Sequence, residues 1–218
     1  MNTSIHNFYV KNFARRFTEN TAGVAAIEFA LIAPIMILMA IGTFEIGRAV
    51  IVHKRLQRAT DMVADLVSRE QTLGDTSGAV VANLDGIMRA AENALYPYDT
   101  TKLRMSILSV RANIPANPQA TPTTSIEWSY GYKGSPHQQC PAPKSLPQAG
   151  MVVAGNAVIM VESEYDYSPL LNYGGTIKNT FNGTILQQTF KDTMVYAPRN
   201  TCVDVLKRNC IAQCSFIN

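Results

Sequence analysis

The chain of 218 residues carries none of the short patterns by which common enzyme classes announce themselves. There is no Gly-x-Ser-x-Gly elbow, His-Glu-x-x-His pair, phosphate loop or dinucleotide fingerprint. Histidine is scarce, with three in all. His137 stands alone in a proline-rich loop. His53 falls on an apolar helical stripe, where a lone histidine reads as a partly buried core residue rather than a ligand. An excess of one charge sign is also missing: 19 Lys and Arg face 16 Asp and Glu, a net +3. A nucleic-acid partner would need a basic domain or patch, so none is expected. No internal repeat is evident, and no cofactor or metal is called for.

Cysteine is limited to four, Cys140, Cys202, Cys210 and Cys214, all in the C-terminal part. Their spacing as a set fits none of the usual zinc frameworks. An even number in an exported domain points instead to disulfides, for which three connectivities exist; free or partly paired thiols are the other reading.

Long apolar runs are rare too, and the one that exists dominates the N-terminal quarter. Residues 24–46 would form a helix whose apolar part, Val24 to Phe44, is about 30 Å long, enough to cross a hydrocarbon core. It follows a basic stretch with Lys11, Arg15 and Arg16, and it carries one acid near its start, Glu28, five positions after Gly23. An ionisable residue inside a span marks a functional site by default. A cleaved secretory signal also begins with basic residues and an apolar run, but its core is shorter, about 7–15 residues, and no small-x-small cleavage signal with a polar start follows here. A twin-arginine export signal fits poorly, because Phe17 follows the Arg15-Arg16 pair directly.

Gly23, Val24-Ala25-Ala26-Ile27 and Glu28-Phe29-Ala30, with Pro34 and Gly42-x-x-Glu45-x-Gly47-Arg48, resemble the TadE-like family, minor pseudopilins of the tight-adherence (Tad) branch of type IV pili. The resemblance covers about residues 14–60. It implies a prepilin peptidase cutting between Gly23 and Val24, with Gly23, Val24, Glu28 and Phe29 forming the processing site and Glu28 serving assembly. It further implies other Tad minor and major pilins and the platform proteins as partners, and a pilin-like fold. Pairing of Glu28 with a neighbouring subunit's new α-amino group would lower the cost of burying both charges. Beside this stand plainer readings: Glu28 reaches toward the headgroups, and Gly23 serves a turn or a close contact. Pro34 removes one helical hydrogen bond in mid-span and predicts a bend.

Charge does not orient the span, since Arg48, Lys54, Arg55 and Arg58 follow it much as the basic leader precedes it. The cysteines do: they put the C-terminal domain on the periplasmic side of the inner membrane and residues 1–23 in the cytoplasm. Loss of that leader removes three Lys or Arg and one acid, leaving a net +1.

Beyond the span, Ile46, Val50, His53, Leu56, Ala59 or Thr60, Val63 and Leu66 recur at helical spacing, predicting an amphipathic continuation over 47–72 within one helix from about Ala22 to Arg69. The exported domain, 73–218, reads as α+β with an antiparallel sheet. Val80–Leu95 is helical and stops at Tyr96-Pro97. Strands are expected over Leu103–Val110, Ser125–Lys133 and Met151–Tyr167, the last bulged at Gly155, with an irregular loop between Gly134 and Gly150. Asn182-Gly183 predicts a hairpin joining Thr176–Phe181 to Thr184–Ala197. Glu162, Glu164 and Asp166 share one face of the Met151–Tyr167 strand, expected to be solvated; paired carboxylates are also the feature that would serve acid/base chemistry or calcium. A membrane-anchored periplasmic enzyme or binding module unrelated to pili is the alternative, and no catalytic step is expected.

Overall fold

The computed structural model describes residues 22–117, 119–135, 138–148, 150–169, 187–206, 210 and 215–216. The chain divides into two units, Met1–Arg48 and Ala49–Asn218. One helix, α1 (Ala22–Arg69), belongs to both. In the first unit its large apolar side chains lie open on all sides: Val24, Ile27, Phe29, Leu31, Ile35, Leu38 and Phe44 are all more than half exposed. A helix apolar all round is made for lipid or for other helices rather than for water. Thr43, a polar residue here, turns its hydroxyl onto the Met39 carbonyl of its own helix at 2.8 Å, which conceals the group from an apolar surrounding.

In the second unit α1 becomes amphipathic. Val52, Leu56, Ala59, Val63, Ala64 and Val67 are buried, spaced by three and four residues so that they form one stripe. This corrects the expected face, because Ile46 and Val50 are exposed. The run Ala49-Val50-Ile51-Val52 is apolar at every position, so periodicity fixes no face there, and the packing partners select Val52. His53 lies beside the stripe, partly buried, its ring 5.1 Å from that of Phe190.

A second helix, α2 (Ser77–Leu95), begins at Thr76, whose hydroxyl accepts from the Ala79 amide, a cap contributing about 1 kcal/mol. It ends where Tyr96 is held extended ahead of Pro97. Val80, Leu84, Met88, Ala91 and Leu95 are buried. Most of the stability of such a helix comes from packing its apolar face, here burial worth roughly 1.5–3 kcal/mol per large apolar side chain.

The strands β1 (Leu103–Ala112), β2 (Thr124–Tyr132), β3 (Ala157–Tyr167), β4 (Gln188–Tyr196) and the short β5 (Ser215–Phe216) form one sheet in the order β4-β3-β1-β2-β5. The first four pair antiparallel; β5 runs parallel to β2. Leu103, Met105, Ile107, Trp128, Ile159, Val161 and Tyr165 join α1 and α2 in the main core. Between helix and sheet, Thr60 and Ser163 share a buried hydrogen bond of 2.6 Å. The architecture is therefore α+β, with the amphipathic part of α1 on an antiparallel sheet.

The opposite face of the sheet is covered as well. Leu108, Val110, Ile126, Val158 and Met160 make a second cluster, with Cys140, Ala142, Leu146 and Val152 of the irregular loop packed on it. Central β1 is consequently buried on both faces over Met105–Val110. A register shift in β1–β2 between Ser109 and Val110 opposes Ser109 to Trp128 and Val110 to Ile126, leaving Glu127 as the extra residue. This bulge sends Ile126 and Trp128, two apart in sequence, to different clusters. The bulge expected at Gly155 is absent: Gly155 sits at φ +86° in a turn, and β3 starts two residues later. The Asn182-Gly183 hairpin lies outside the described residues, but β4 does pair antiparallel with β3.

Residues 201–206 return to the end of α1. Leu73 donates to the Asp204 carbonyl, Asp204 to Gln71, and Leu206 to Gly74. Cys202 and Cys210 are disulfide-bonded with Cα atoms 5.8 Å apart, and Cys140 is disulfide-bonded as well. The bond between Cys202 and Cys210 belongs to only one of the three connectivities; Cys214 lies outside the described residues.

Candidate assembly and processing segment

Gly23, Val24, Glu28 and Phe29 all lie in the first turns of α1, and all are exposed. Val24 and Glu28 are four residues apart, so they share a helix face about 6 Å apart along the axis. Gly23 is helical, and a Cβ built on it would meet nothing within 4 Å. Among the described residues neither a turn nor a close contact calls for glycine there, although glycine in a helix costs about 1 kcal/mol relative to alanine. Pro34 is accommodated inside α1, which continues through it.

The carboxylates of β3 occupy quite different surroundings from those expected. Glu162, Glu164 and Asp166 do share the outer face of the strand, yet each is partly buried and held by cations. Lys144 pairs with Glu162 at 2.7 Å, and Gln138 donates to the same carboxylate at 3.0 Å. Lys191 and Arg104 reach Glu164 at 2.5 and 3.4 Å. Arg104 also makes two bonds to Asp166, of 2.7 and 3.2 Å, and Thr189 donates to Asp166 at 2.8 Å. The Lys191 and Arg104 bonds hold the Glu164 carboxyl below its ordinary range; those from Arg104 and Thr189 do the same for Asp166. A general acid at neutral pH would need the opposite shift. Glu162, Glu164, Arg104 and Lys191 border a groove of about 430 Å³ with Ser106 and Thr193. What the arrangement does is join β1, β3, β4 and the covering loop by ion pairs. Among the described residues no three His, Cys, Asp or Glu side chains gather to hold a metal ion. His137 lies outside the described residues.

Two groups of contacts had no sequence signal. Tyr130 and Tyr132 of β2 donate to Asp85 and Glu92 of α2, fastening that helix to the sheet. Burial, reinforced by the carboxylate acceptor, pushes the Tyr132 phenol up to about 12, and Tyr130 moves the same way. Beside the bulge, Arg111 donates to Glu127 at 2.7 and 3.1 Å and to the carbonyls of Gly155 and Cys210 at 2.6 and 2.8 Å. Ser109 completes the Glu127 carboxylate at 3.1 Å.

Among the described residues, one helix is long and apolar enough to cross a membrane, and it is α1. Comparison with curated proteins and with solved structures gives no match. A family model described as TadE-like protein does match, over residues 23–65, from the glycine of the motif to the amphipathic half of α1. The apolar first unit thus fits a single-pass membrane anchor, and residues 23–65, which bear Gly23, Glu28 and most of the packed stripe, are similar to the TadE-like family, a family of pilus-associated proteins.

Proposed function

We propose that the chain is a minor pseudopilin of the Tad pilus, made with a cytoplasmic leader of residues 1–23, cut by a prepilin peptidase between Gly23 and Val24, and contributing to pilus assembly or adherence. The observation that carries this reading is the combination at the start of α1: a glycine that no local contact requires, followed one turn later by the exposed acid Glu28 in a helix apolar on every side. An acid left alone in lipid is expensive. Cleavage creates an α-amino group, ordinarily titrating near about 7.7–8.0, on the same helix face. In an assembly of such helices the carboxylate of one subunit pairs with the amine of its neighbour, fixing the axial register.

The exported α+β domain is then held on the periplasmic side of the inner membrane, where disulfides persist. Its partners are the prepilin peptidase, other Tad minor and major pilins, and the platform proteins. The work is structural, with no cofactor. The test is the N-terminal sequence and intact mass of the protein from membranes of cells with and without their prepilin peptidase. A start at Val24 only when the peptidase is present is the expected result; Met1 retained in both overturns it. Glu28→Ala should leave this cut intact but reduce the number of pili. Unchanged pilus number would remove the assembly role of Glu28 while leaving processing untouched.

A further inference from the structure

The end of the exported domain where α1 enters it carries an unusual surface. Val50 and Ile51 are about half exposed, and Lys54 and Arg58 follow on the open side of the helix. Arg55, between them, donates to the Tyr96 carbonyl and lies over the Tyr98 ring, 5.5 Å from its centre. This contact fixes the Tyr96-Pro97-Tyr98 turn against α1 and turns the Tyr96 ring outward, 76% exposed, one of the most open large side chains of the domain. Asp61, one turn beyond Arg58, accepts from the Tyr196 hydroxyl at 2.6 Å, and Asp99, next to Tyr98, is occupied by the Thr101 amide and hydroxyl at 3.0 and 2.7 Å, bonds that hold its carboxyl below the ordinary range. The patch therefore combines free apolar area, an outward phenol and three cations.

We propose that this collar, Val50, Ile51, Lys54, Arg58 and Tyr96 with Arg55 as its brace, binds the phosphate headgroups of the outer leaflet of the membrane that α1 crosses. The inference rests on the reading of residues 24–46 as a span. Val50 is one helical turn beyond that span, about 6 Å along the axis. Val24 to Phe44 takes up the roughly 30 Å of the hydrocarbon core, so Val50 and Ile51, about 9–10 Å further along the helix, come out at the outer edge of the headgroup layer. Tyrosine at such a level places its ring among acyl carbons and its hydroxyl in the headgroups. Lys54 and Arg58 supply charge complementary to anionic phospholipid.

The test uses the full chain reconstituted in vesicles. The chain's single tryptophan, Trp128, is 1% exposed in the domain core and serves as the internal reference. Tyr96→Trp introduces a second emitter at the collar, and phosphatidylcholine brominated near the headgroup end of its acyl chains is the quencher. Quenching at position 96, with Trp128 unaffected, is expected, and it should be stronger with phosphatidylglycerol present. Adding Lys54→Gln and Arg58→Gln should shift the docked-to-undocked ratio about thirtyfold, at about fivefold per cation. A parallel Phe44→Trp chain separates the two ways of failing. Quenching at 44 but not at 96 overturns the collar alone; quenching at neither overturns the membrane span and the collar with it.

Discussion

Arg111→Ala should be among the most destabilising single changes in the second unit. The Arg111 and Glu127 side chains are 13% and 6% exposed, and the pair is closed at 2.7 Å. Among the described residues, alanine leaves the buried Glu127 carboxylate with only the Ser109 hydroxyl donating to it, and it strips the Gly155 and Cys210 carbonyls of a donor. Removing one partner of a buried ion pair costs about 3–5 kcal/mol, because the remaining charge has lost its compensation. For a domain of this size that lowers the melting temperature by roughly 6–20 °C. The assay is thermal unfolding of the detergent-solubilised protein, followed by near-ultraviolet circular dichroism of buried Trp128. Arg111→Met with Glu127→Leu should recover much of the loss, since no charge is then stranded. A fall below about 1 kcal/mol for Arg111→Ala, or additive single and double variants, would refute the reasoning.

Replacing Cys202 and Cys210 by alanine opens a loop with a sequence separation of 8, and the chain-entropy relation assigns that closure about 2–3 kcal/mol. The melting temperature should fall roughly 4–12 °C; an unchanged value in the non-reduced protein would show that the bond adds nothing. The acid ladder on β3 predicts a pH dependence. Glu164 and Asp166 are held below their ordinary values of 4.5 and 3.8, so the native state binds these protons more weakly than the unfolded chain. Their contribution is present above those values and lost as pH falls through the depressed ones. Arg104→Gln should flatten the fall in melting temperature between about pH 5 and 2; an identical profile would argue against the ladder.

The sequence revealed elements governed by local rules. The spacing of Val80, Leu84, Met88, Ala91 and Leu95, closed by Pro97, defines α2 without reference to the rest of the molecule. The alternation in β3 likewise divides Ile159, Val161 and Tyr165 from Val158 and Met160 as the sheet does. What was hidden depends on distant partners. Ile126 and Trp128 look like neighbours on one face until the bulge at Glu127 separates them. Glu162 looks solvated until a loop bringing Lys144 and Gln138 settles beside it. Along the candidate segment the pattern of Gly23 and Glu28 was legible, because these residues lie within two turns of one helix. The collar residues Arg55 and Tyr96 are 41 apart in sequence, and nothing local links them.

The place of β1 at the centre of the sheet has a consequence for the order in which the domain is made. It is the first strand to be synthesised, yet its two edges are closed by β2 and β3, which come later. Both its faces need cover, and the loop that covers one of them is also later in the chain. Until about residue 167 has been produced, a two-sided apolar ribbon with open edges waits beside a tethered helix, the kind of intermediate that adheres to its neighbours. The tie from Asp204 back to Gln71 and Leu73 comes later still. A nascent chain halted in between is the form most in need of a chaperone.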